Sequence, residues 1–329
     1  MSRLRFLKIF NSYCEQINKV HVPQPLKTFL LELSKLDFLK LSGCCSLKGI
    51  PDCNGFNSLK TLDLCWCSNL EMLLEMPCNI EELFLHGTAV EELPLSTENL
   101  SRLRALGFCG CKRLKSLPSS ICKWKSLRRL DTSECSKLIQ LPNDIGALES
   151  LETLQVEGDP IRDIPSSFIY LKNLTHLNLS GCKELTLSGF EFFPDNLTSL
   201  NLSDRGITEL PEFPDGCLSS LRWLYLSGNS LESIPASIIN LSKLGLLCIN
   251  SCKRLKCLPK LQLESIVANG CTSLEVLPSL SLVLRNLNSL FQISAEFVDC
   301  FKLDQNIFED IVEDMISYHC TKQVCFTPS

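Results

Sequence analysis

The sequence has no long apolar run and no apolar leader. No stretch approaches the ~18–20 uninterrupted apolar residues of a membrane-spanning helix, although hydrophobic residues make up 45% of the 329-residue chain. The first ten residues, MSRLRFLKIF, carry scattered charges and lack the apolar segment of about 7–15 residues that marks a secretory signal. These absences predict a protein of the cytosol or the nucleus that has no membrane partner.

A basic surplus is also absent, and histidine is scarce. The chain has 32 Lys and Arg against 37 Asp and Glu, a balance that argues against nucleic acid as a partner. Only four histidines occur, and no set of residues identifiably supplies a nucleophile, a base and an acid together. No G-x-x-x-x-G-K-[ST] loop is present to hold phosphates. The sequence therefore predicts no enzyme activity and no cofactor.

Cysteine, in contrast, is abundant, with 20 residues. Cys109 and Cys111 stand one residue apart in LGFCGCKRLKSLP, where they could be a metal clamp, a redox pair, a nucleophile with its neighbour, or packing residues. A structural metal site needs four converging ligands, and a catalytic thiol needs a nearby base. The sequence shows neither, and without an export signal we expect reduced thiols. We therefore interpret most cysteines as packing residues and predict no metal site.

The cysteines follow a repeat with the pattern L-x-x-L-x-L-x-x-(C/N)-x-x-L-x-x-(L/I)-P. Its first position falls, at steps of 19 to 24 residues, at Leu36, Leu59, Ile80, Leu103, Leu127, Leu151, Leu174, Leu197, Leu221, Leu244 and Leu263. This pattern defines the leucine-rich repeat. Alternating leucines in x-L-x-L-x point inward from a short strand, and no coil can bury that face alone, so coils stack. The sequence predicts an α/β solenoid, a horseshoe with a parallel β-sheet on its concave face.

The ninth position of each repeat points inward at the turn off the strand and must be small, with a polar atom for the exposed backbone. It is occupied by Cys44, Cys67, Thr88, Cys111, Cys135, Asp159, Cys182, Arg205, Asn229, Cys252 and Cys271. We call these residues the ladder; a buried thiol there acts as a small hydrophobe with a weak donor. A proline that suits only the return arm follows in most repeats. The Ser or Asn-Asp after it predicts capped short helices or 3₁₀ turns on the convex side.

The two ends depart from the repeat. Residues 1–31 are predicted to be a degenerate N-terminal repeat, and residues 32–280 to hold about 11 leucine-rich repeats. Residues 281–329 are predicted to form a cap that adds terminal strands. Within this cap, DQNIFEDIVEDMISY (304–318) is predicted to be an amphipathic helix, since its apolar residues share one face.

Several motifs resemble one family. The turns in LSGCCSLKGIP, LSGCKEL and INSCKRLKCLP, together with HGTAVEELP, resemble the leucine-rich repeats of plant intracellular immune receptors of the TIR–nucleotide-binding–leucine-rich-repeat class. VDCFKLDQ resembles the segment after those repeats, and VCFTPS resembles the start of the jelly-roll domain that follows it. The resemblance implies a truncated receptor whose nucleotide-binding and TIR domains are absent from this chain.

Outward strand positions are the candidate binding surface. Trp223 and Tyr225 stand out, because aromatic residues on an outward sheet position are unusual unless something covers them. A partner protein, the tail around residues 300–318, and incidental exposure are alternative explanations. Further candidates for partner binding are Leu246, Phe84, His86, Arg129 and His176. Asp131 could simply pair with Arg129, and the histidines could be plain surface residues.

The pattern and the resemblance together predict a non-catalytic protein-recognition module of plant innate immunity. Its expected partner is a pathogen effector or the receptor's own domains. The alternative is an extracellular ligand-binding ectodomain, against which stand the missing signal peptide, the missing cysteine-paired caps and the cysteine ladder.

Overall fold

A computed structural model of the chain describes residues 5–8, 35–50, 56–73, 76–277, 280–282, 294–303 and 323–325. The chain divides into two compact units, unit 1 (Met1–Leu174) and unit 2 (Thr175–Ser329). Both are leucine-rich repeat solenoids, in which each described coil contributes a three-residue strand to a parallel sheet. None of the helices among the described residues has the length and apolarity needed to cross a membrane.

Unit 1 contains parallel strands that pair in chain order. They are β1 Phe6–Lys8, β2 Phe38–Lys40, β3 Thr61–Asp63, β4 Glu82–Phe84, β5 Ala105–Gly107, β6 Arg129–Asp131 and β7 Thr153–Gln155. The pairing register places leucine beside leucine, as in Leu83, Leu106 and Leu130 at the centres of β4, β5 and β6. β1 pairs with β2 through Phe6 and Phe38, so a strand of the repeat type exists within the N-terminal segment.

Unit 2 continues the same strand type. Its strands are β8 His176–Asn178, β9 Ser199–Asn201, β10 Trp223–Tyr225, β11 Leu246–Cys248, β12 Leu261–Leu263, β13 Ser265–Val267, β14 Leu280–Leu282, β15 Ser294–Glu296 and β16 Gln323–Cys325. The parallel sheet runs β8-β9-β10-β11-β13-β15-β16, and β12 and β14 form a separate parallel pair.

The first position of each repeat and the centre of each repeat strand are buried as predicted. Every residue at the first position of the eleven repeats is at most 2% exposed. The ladder is buried too, from Cys67 at 0% to Arg205 at 6% exposed. Because these side chains pack only against the next coil on either side, each coil depends on its neighbours for its core.

Five of the ladder thiols make the same hydrogen bond. Each of these five donates to a carbonyl oxygen of the coil before it, at the residue three positions before that coil's ladder residue. The Sγ–O distances are 3.0–3.3 Å for Cys67 to Leu41, Cys111 to Leu85, Cys135 to Phe108, Cys252 to Leu226 and Cys271 to Ile249. Asn229 makes the equivalent bond from Nδ2 to the Leu202 carbonyl at 2.9 Å. The thiol therefore takes the place of the side-chain NH₂ group of an asparagine as the hydrogen-bond donor at this position.

Two ladder positions carry buried charge-bearing groups. Asp159 in unit 1 accepts the Cys135 N–H and the Thr132 hydroxyl, both at 2.7 Å, and burial raises its pKa to about 8. Arg205 in unit 2 donates to the carbonyls of Cys182 and Leu185 at 3.2 and 2.5 Å. Burial lowers its pKa to about 10, and its Nη1 has no hydrogen-bond partner among the described residues.

Short 3₁₀ helices form on the return arms, as predicted. They span Leu95–Asn99, Ser119–Lys123, Ile145–Ala147 and Ser166–Tyr170 in unit 1, and Ala236–Asn240 in unit 2. The capping expectation was wrong, because none of these helices has a side-chain cap. In four of them the residue before the helix is the repeat's proline, whose fixed φ sets the entry into the helix without a cap.

The repeat extends further than the sequence pattern indicated. Cys300 follows β15 with the ladder's spacing, and its thiol donates to the Ala268 carbonyl at 3.0 Å, so it is a further ladder position. The predicted terminal strands are present as β14 and β15. β16, in the segment that resembles the start of a jelly-roll domain, pairs in parallel with β15. The predicted helix over 304–318 lies outside the described residues.

The expectation of reduced thiols fails at one position. Cys44, the first ladder residue, forms a disulfide bond. The ladder cysteines Cys67, Cys111, Cys135 and Cys271 carry free thiols.

Candidate functional site

We call the side chains that point away from the core along the strands of one unit its sheet face. In the strands of the main parallel sheet the first and third residues belong to this face, because side chains alternate along a strand. In unit 2 the register aligns one row across four adjacent strands: His176, Ser199, Trp223 and Leu246. Three of the predicted binding residues therefore lie in one row, and the fourth, Tyr225, is in the same strand as Trp223.

An aromatic contact spans the middle of this row. The rings of His176 and Trp223 are stacked with centroids 6.3 Å apart and planes inclined by 27°. Between them stands Ser199 of β9, whose small side chain leaves room for the contact above it. Trp223 and Leu246 are half-buried and His176 is exposed. The indole is thus supported by a neighbour while part of its surface stays open to solvent.

Tyr225 lies in the adjacent row, between Asn201 and Cys248. It is half-buried, and burial raises the pKa of its hydroxyl, with Cys248 adding to the effect. The phenol is therefore neutral at physiological pH and can both donate and accept a hydrogen bond. The surface around Trp223 and Tyr225 combines apolar rings with uncharged polar groups.

The remaining predicted residues belong to unit 1. The rings of Phe84 and His86 stack with centroids 6.0 Å apart. The His86 ring lies over Gly107, where an added Cβ would stand 2.4 Å from its Cε1 and Nε2. Ala105 and Gly107 are both buried. They therefore do not offer the open flat surface that small residues on a strand suggest.

Arg129 is exposed and has a different partner from the one considered from sequence. Its Nη2 lies 3.4 Å from a carboxylate oxygen of Glu82, two strands away across Ala105, whereas Asp131 was the expected partner. Asp131 instead accepts the backbone N–H of Ser133 at 3.0 Å. An exposed pair of this length contributes little to stability, so Arg129 keeps its charge available on the sheet face.

A group that the sequence did not reveal stands beside these residues. His86, Cys109 and Asp131 each bring one potential metal-ligand atom to within 4.8 Å of the others, and all three are half-buried. The Cys109 backbone N–H donates to His86 Nδ1 at 3.0 Å. Burial, followed by the charges of Asp131 and Glu134, raises the pKa of the Cys109 thiol. The three residues come from consecutive coils, so a search for ligand spacing along one strand could not find them.

The predicted residues therefore form two groups. Unit 2 brings His176, Trp223, Tyr225 and Leu246 together, while unit 1 brings Phe84 to His86 and holds Arg129 against Glu82. The signal for the first group was present in the sequence, because the repeat template already aligns these positions. The contacts in unit 1 depend on which way long side chains turn.

Comparison with known proteins agrees with this architecture. Residues 220–241 match the family Leucine Rich Repeat. The chain is 36% identical to Disease resistance-like protein DSC1 of Arabidopsis thaliana, over 71% of the chain and 20% of that protein. It is 35% identical to TMV resistance protein N of Nicotiana glutinosa, over 80% of the chain and 23% of that protein.

Among solved structures, an internalin from Listeria monocytogenes aligns with 90% of the chain and 88% of its own length. The sequence identity is 19% and the TM-score is 0.49. The chain spans about a fifth of the length of the curated relatives it matches.

Proposed function

We propose that this chain, which is a leucine-rich repeat protein related to plant disease resistance proteins, is a non-catalytic protein-recognition module. The observation that carries the proposal is the row His176, Ser199, Trp223 and Leu246 of unit 2, with Tyr225 beside it. Tryptophan and tyrosine dominate the binding energy of protein interfaces.

The geometry of the row suits an interface anchor. Stacking on His176 restricts the rotamers of Trp223, so less side-chain entropy is lost when a partner covers it. Leu246 extends the apolar surface, and the neutral hydroxyl of Tyr225 offers a hydrogen bond at its edge. A complementary partner would present an apolar side chain toward Trp223 and a polar rim toward Tyr225.

We infer that the partner is a pathogen effector or another domain of a larger receptor. The relatives are disease resistance proteins of which the matching region is about a fifth, and recognition in this chain is proposed on that basis. The cytosol or the nucleus is the proposed compartment. The extracellular alternative is not favoured by these relatives.

The test replaces both aromatic residues, Trp223→Ala with Tyr225→Ala. Binding to a panel of effector proteins and separately expressed receptor domains is measured by calorimetry. Each residue should contribute about 2 kcal/mol or more, or at least tens of fold in affinity. The fold should persist, since outward side chains change stability by about 1 kcal/mol or less. Lys123→Ala and Lys125→Ala, on the return arm of unit 1, are the controls and should bind as the wild type does.

A competing explanation is that residues 300–318 cover the aromatic pair. The double variant would then lose stability, and its tail would become sensitive to protease. Limited proteolysis and thermal melting on the same variant separate the two explanations. Unchanged binding with unchanged protease sensitivity would show that the aromatic pair has neither role.

A further inference from the structure

We propose that His86, Cys109 and Asp131 form a binding site for a divalent metal ion of the zinc class on the sheet face of unit 1. The site goes beyond the proposed recognition role and uses none of the unit 2 residues. Its basis is the convergence of one nitrogen, one sulfur and one oxygen ligand within 4.8 Å. Such a mixed set is typical of ions of intermediate softness such as Zn²⁺.

The spacing is close to what a tetrahedral ion requires. Metal–ligand bonds of about 2.0–2.3 Å place neighbouring ligand atoms about 3.5 Å apart. The observed atoms lie within 4.8 Å of one another, so small side-chain rotations bring them to this distance. The backbone under them is fixed by the paired strands β4, β5 and β6. Three protein ligands leave one coordination position for water.

Gly107 makes the convergence possible. It stands between Phe84 and Asp131 in the strand register, and its missing side chain leaves the space that the His86 ring occupies. An alanine there would collide with two ring atoms, each 2.4 Å from its Cβ. The imidazole is thereby held beside the Cys109 and Asp131 side chains.

The existing hydrogen bonds orient two of the ligands, and the one at His86 must be broken when the ion binds. The Cys109 N–H donates to Nδ1 of His86, so in the neutral ring the proton is on Nε2 and the Nδ1 lone pair points toward Cys109. An ion exchanges this hydrogen bond for a coordinate bond at Nδ1. Asp131 is oriented by the Ser133 N–H. The Cys109 thiol loses its proton to solvent on binding, so affinity increases with pH.

The experiment titrates the reduced, metal-free full chain with Co²⁺ and follows thiolate-to-cobalt charge-transfer absorption. The wild type should bind one equivalent saturably, and Zn²⁺ should displace the Co²⁺. Cys109→Ser, Asp131→Asn and His86→Phe should each weaken binding at least as much as the ~10–100-fold loss typical of removing a supporting outer-shell residue. His86→Phe keeps a flat ring over Gly107, which preserves packing while removing the lone pair.

Gly107→Ala tests the geometry of the site most directly, because it keeps all three ligands and only displaces the His86 ring. This variant should also weaken Co²⁺ binding. The control is Cys248→Ser, a half-buried sheet-face cysteine of unit 2, which should bind Co²⁺ unchanged. Circular dichroism without metal verifies the fold of each variant. If Gly107→Ala does not fold, the Co²⁺ affinities of the three ligand variants test the proposal.

Absence of a saturable charge-transfer band, or its persistence in Cys109→Ser, would overturn the proposal, because the signal would then be absent or come from other thiols. Full affinity in His86→Phe and Asp131→Asn would overturn it as well. The Trp223 and Tyr225 double variant should retain Co²⁺ binding, so the recognition role and the metal site can fail independently.

Discussion

The inner and outer sides of the same strands differ in how they vary along the chain. On the inner side, leucine or isoleucine fills the central strand position of every repeat from Leu39 to Ile266, and several of the ladder thiols repeat one hydrogen bond. On the sheet face, successive third strand positions in unit 1 are Asp63, Phe84, Gly107 and Asp131. Inner residues must fit the next coil, whereas outer residues need to fit only their neighbours on the sheet face, solvent or a ligand.

Two ladder positions are occupied by Asn229 and Asp159 instead of a cysteine, and they differ in their hydrogen bonds. Asn229 donates to two carbonyls and accepts two backbone N–H groups. Asp159 accepts a backbone N–H in the same way, but its ionised form has no proton to donate. The fold therefore tolerates a charge-bearing group on the inner side, at an energetic cost that depends on pH. Variants on both sides of the strands test this comparison.

The largest effect should come from placing a charge on the inner side. Leu154→Asp in unit 1 and Leu177→Asp in unit 2 replace side chains that are at most 2% exposed. Each buries an unpaired charge, which should cost more than the ~2–5 kcal/mol of a typical cavity variant. Loss of several coils should appear in circular dichroism and urea unfolding.

Thr153→Asp, one residue away on the sheet face of β7, is the matched control and should change stability by at most about 0.5–1 kcal/mol. Equal losses in Thr153→Asp and Leu154→Asp would contradict the assignment of the two sides.

An intermediate effect should come from Asp159→Asn. Burial raises the pKa of Asp159 from the usual Asp value to about 8, so the folded state binds its proton more tightly than the unfolded state. This contribution to stability is fully present below about pH 4 and is lost as pH rises to about 8. Asn cannot ionise, so the variant should be more stable near pH 8, by on the order of a few kcal/mol.

Urea unfolding of unit 1 at several pH values measures this difference. The reciprocal change, Asn229→Asp, should destabilise unit 2, because it removes two hydrogen-bond donors. It also adds an ionisable group, so the free energy of unfolding of unit 2 should then fall with rising pH in the same way. The raised pKa would be contradicted if the stability of the wild type rose between pH 4 and pH 8 and Asp159→Asn showed the same dependence of stability on pH.

The smallest effect should come from Cys111→Ser. The hydroxyl can donate to the Leu85 carbonyl that the thiol now reaches at 3.0 Å, and the difference in size is small. We expect a loss of about 1 kcal/mol or less in the free energy of unfolding. Cys111→Ala is close in size to Cys111→Ser but has no donor, so it should cost more; equal losses in the two variants would show that the hydrogen bond contributes nothing.

Most of the fold could be predicted because the inner side is periodic. The pattern located the strand centres and the ladder from Cys44 to Cys271, since each position has one role. It missed Cys300, because the step from Cys271 is 29 residues and no leucine-rich frame surrounds it. The proline-started 3₁₀ helices also show that Ser or Asn-Asp after a turn does not guarantee a cap.

The sheet face was less predictable. The template aligned His176 with Trp223, so their proximity could have been read from sequence. The contacts of Arg129 with Glu82 and of His86 with Gly107 join different coils and depend on side-chain rotamers, for which the sequence holds no periodic signal. The ligand atoms of His86, Cys109 and Asp131 were missed for the same reason.

The direction of the ladder hydrogen bond has an evolutionary consequence. Coils with a hydrogen-bonding cysteine on the ladder bring the donor that satisfies a carbonyl of the coil before them, and most coils present the matching carbonyl to the coil after them. A duplicated or deleted period therefore rejoins its neighbours through the same bond, and unequal return arms absorb differences in length. Recombination between repeats can reorder the outward residues, and so generate new binding surfaces, without rebuilding the interior.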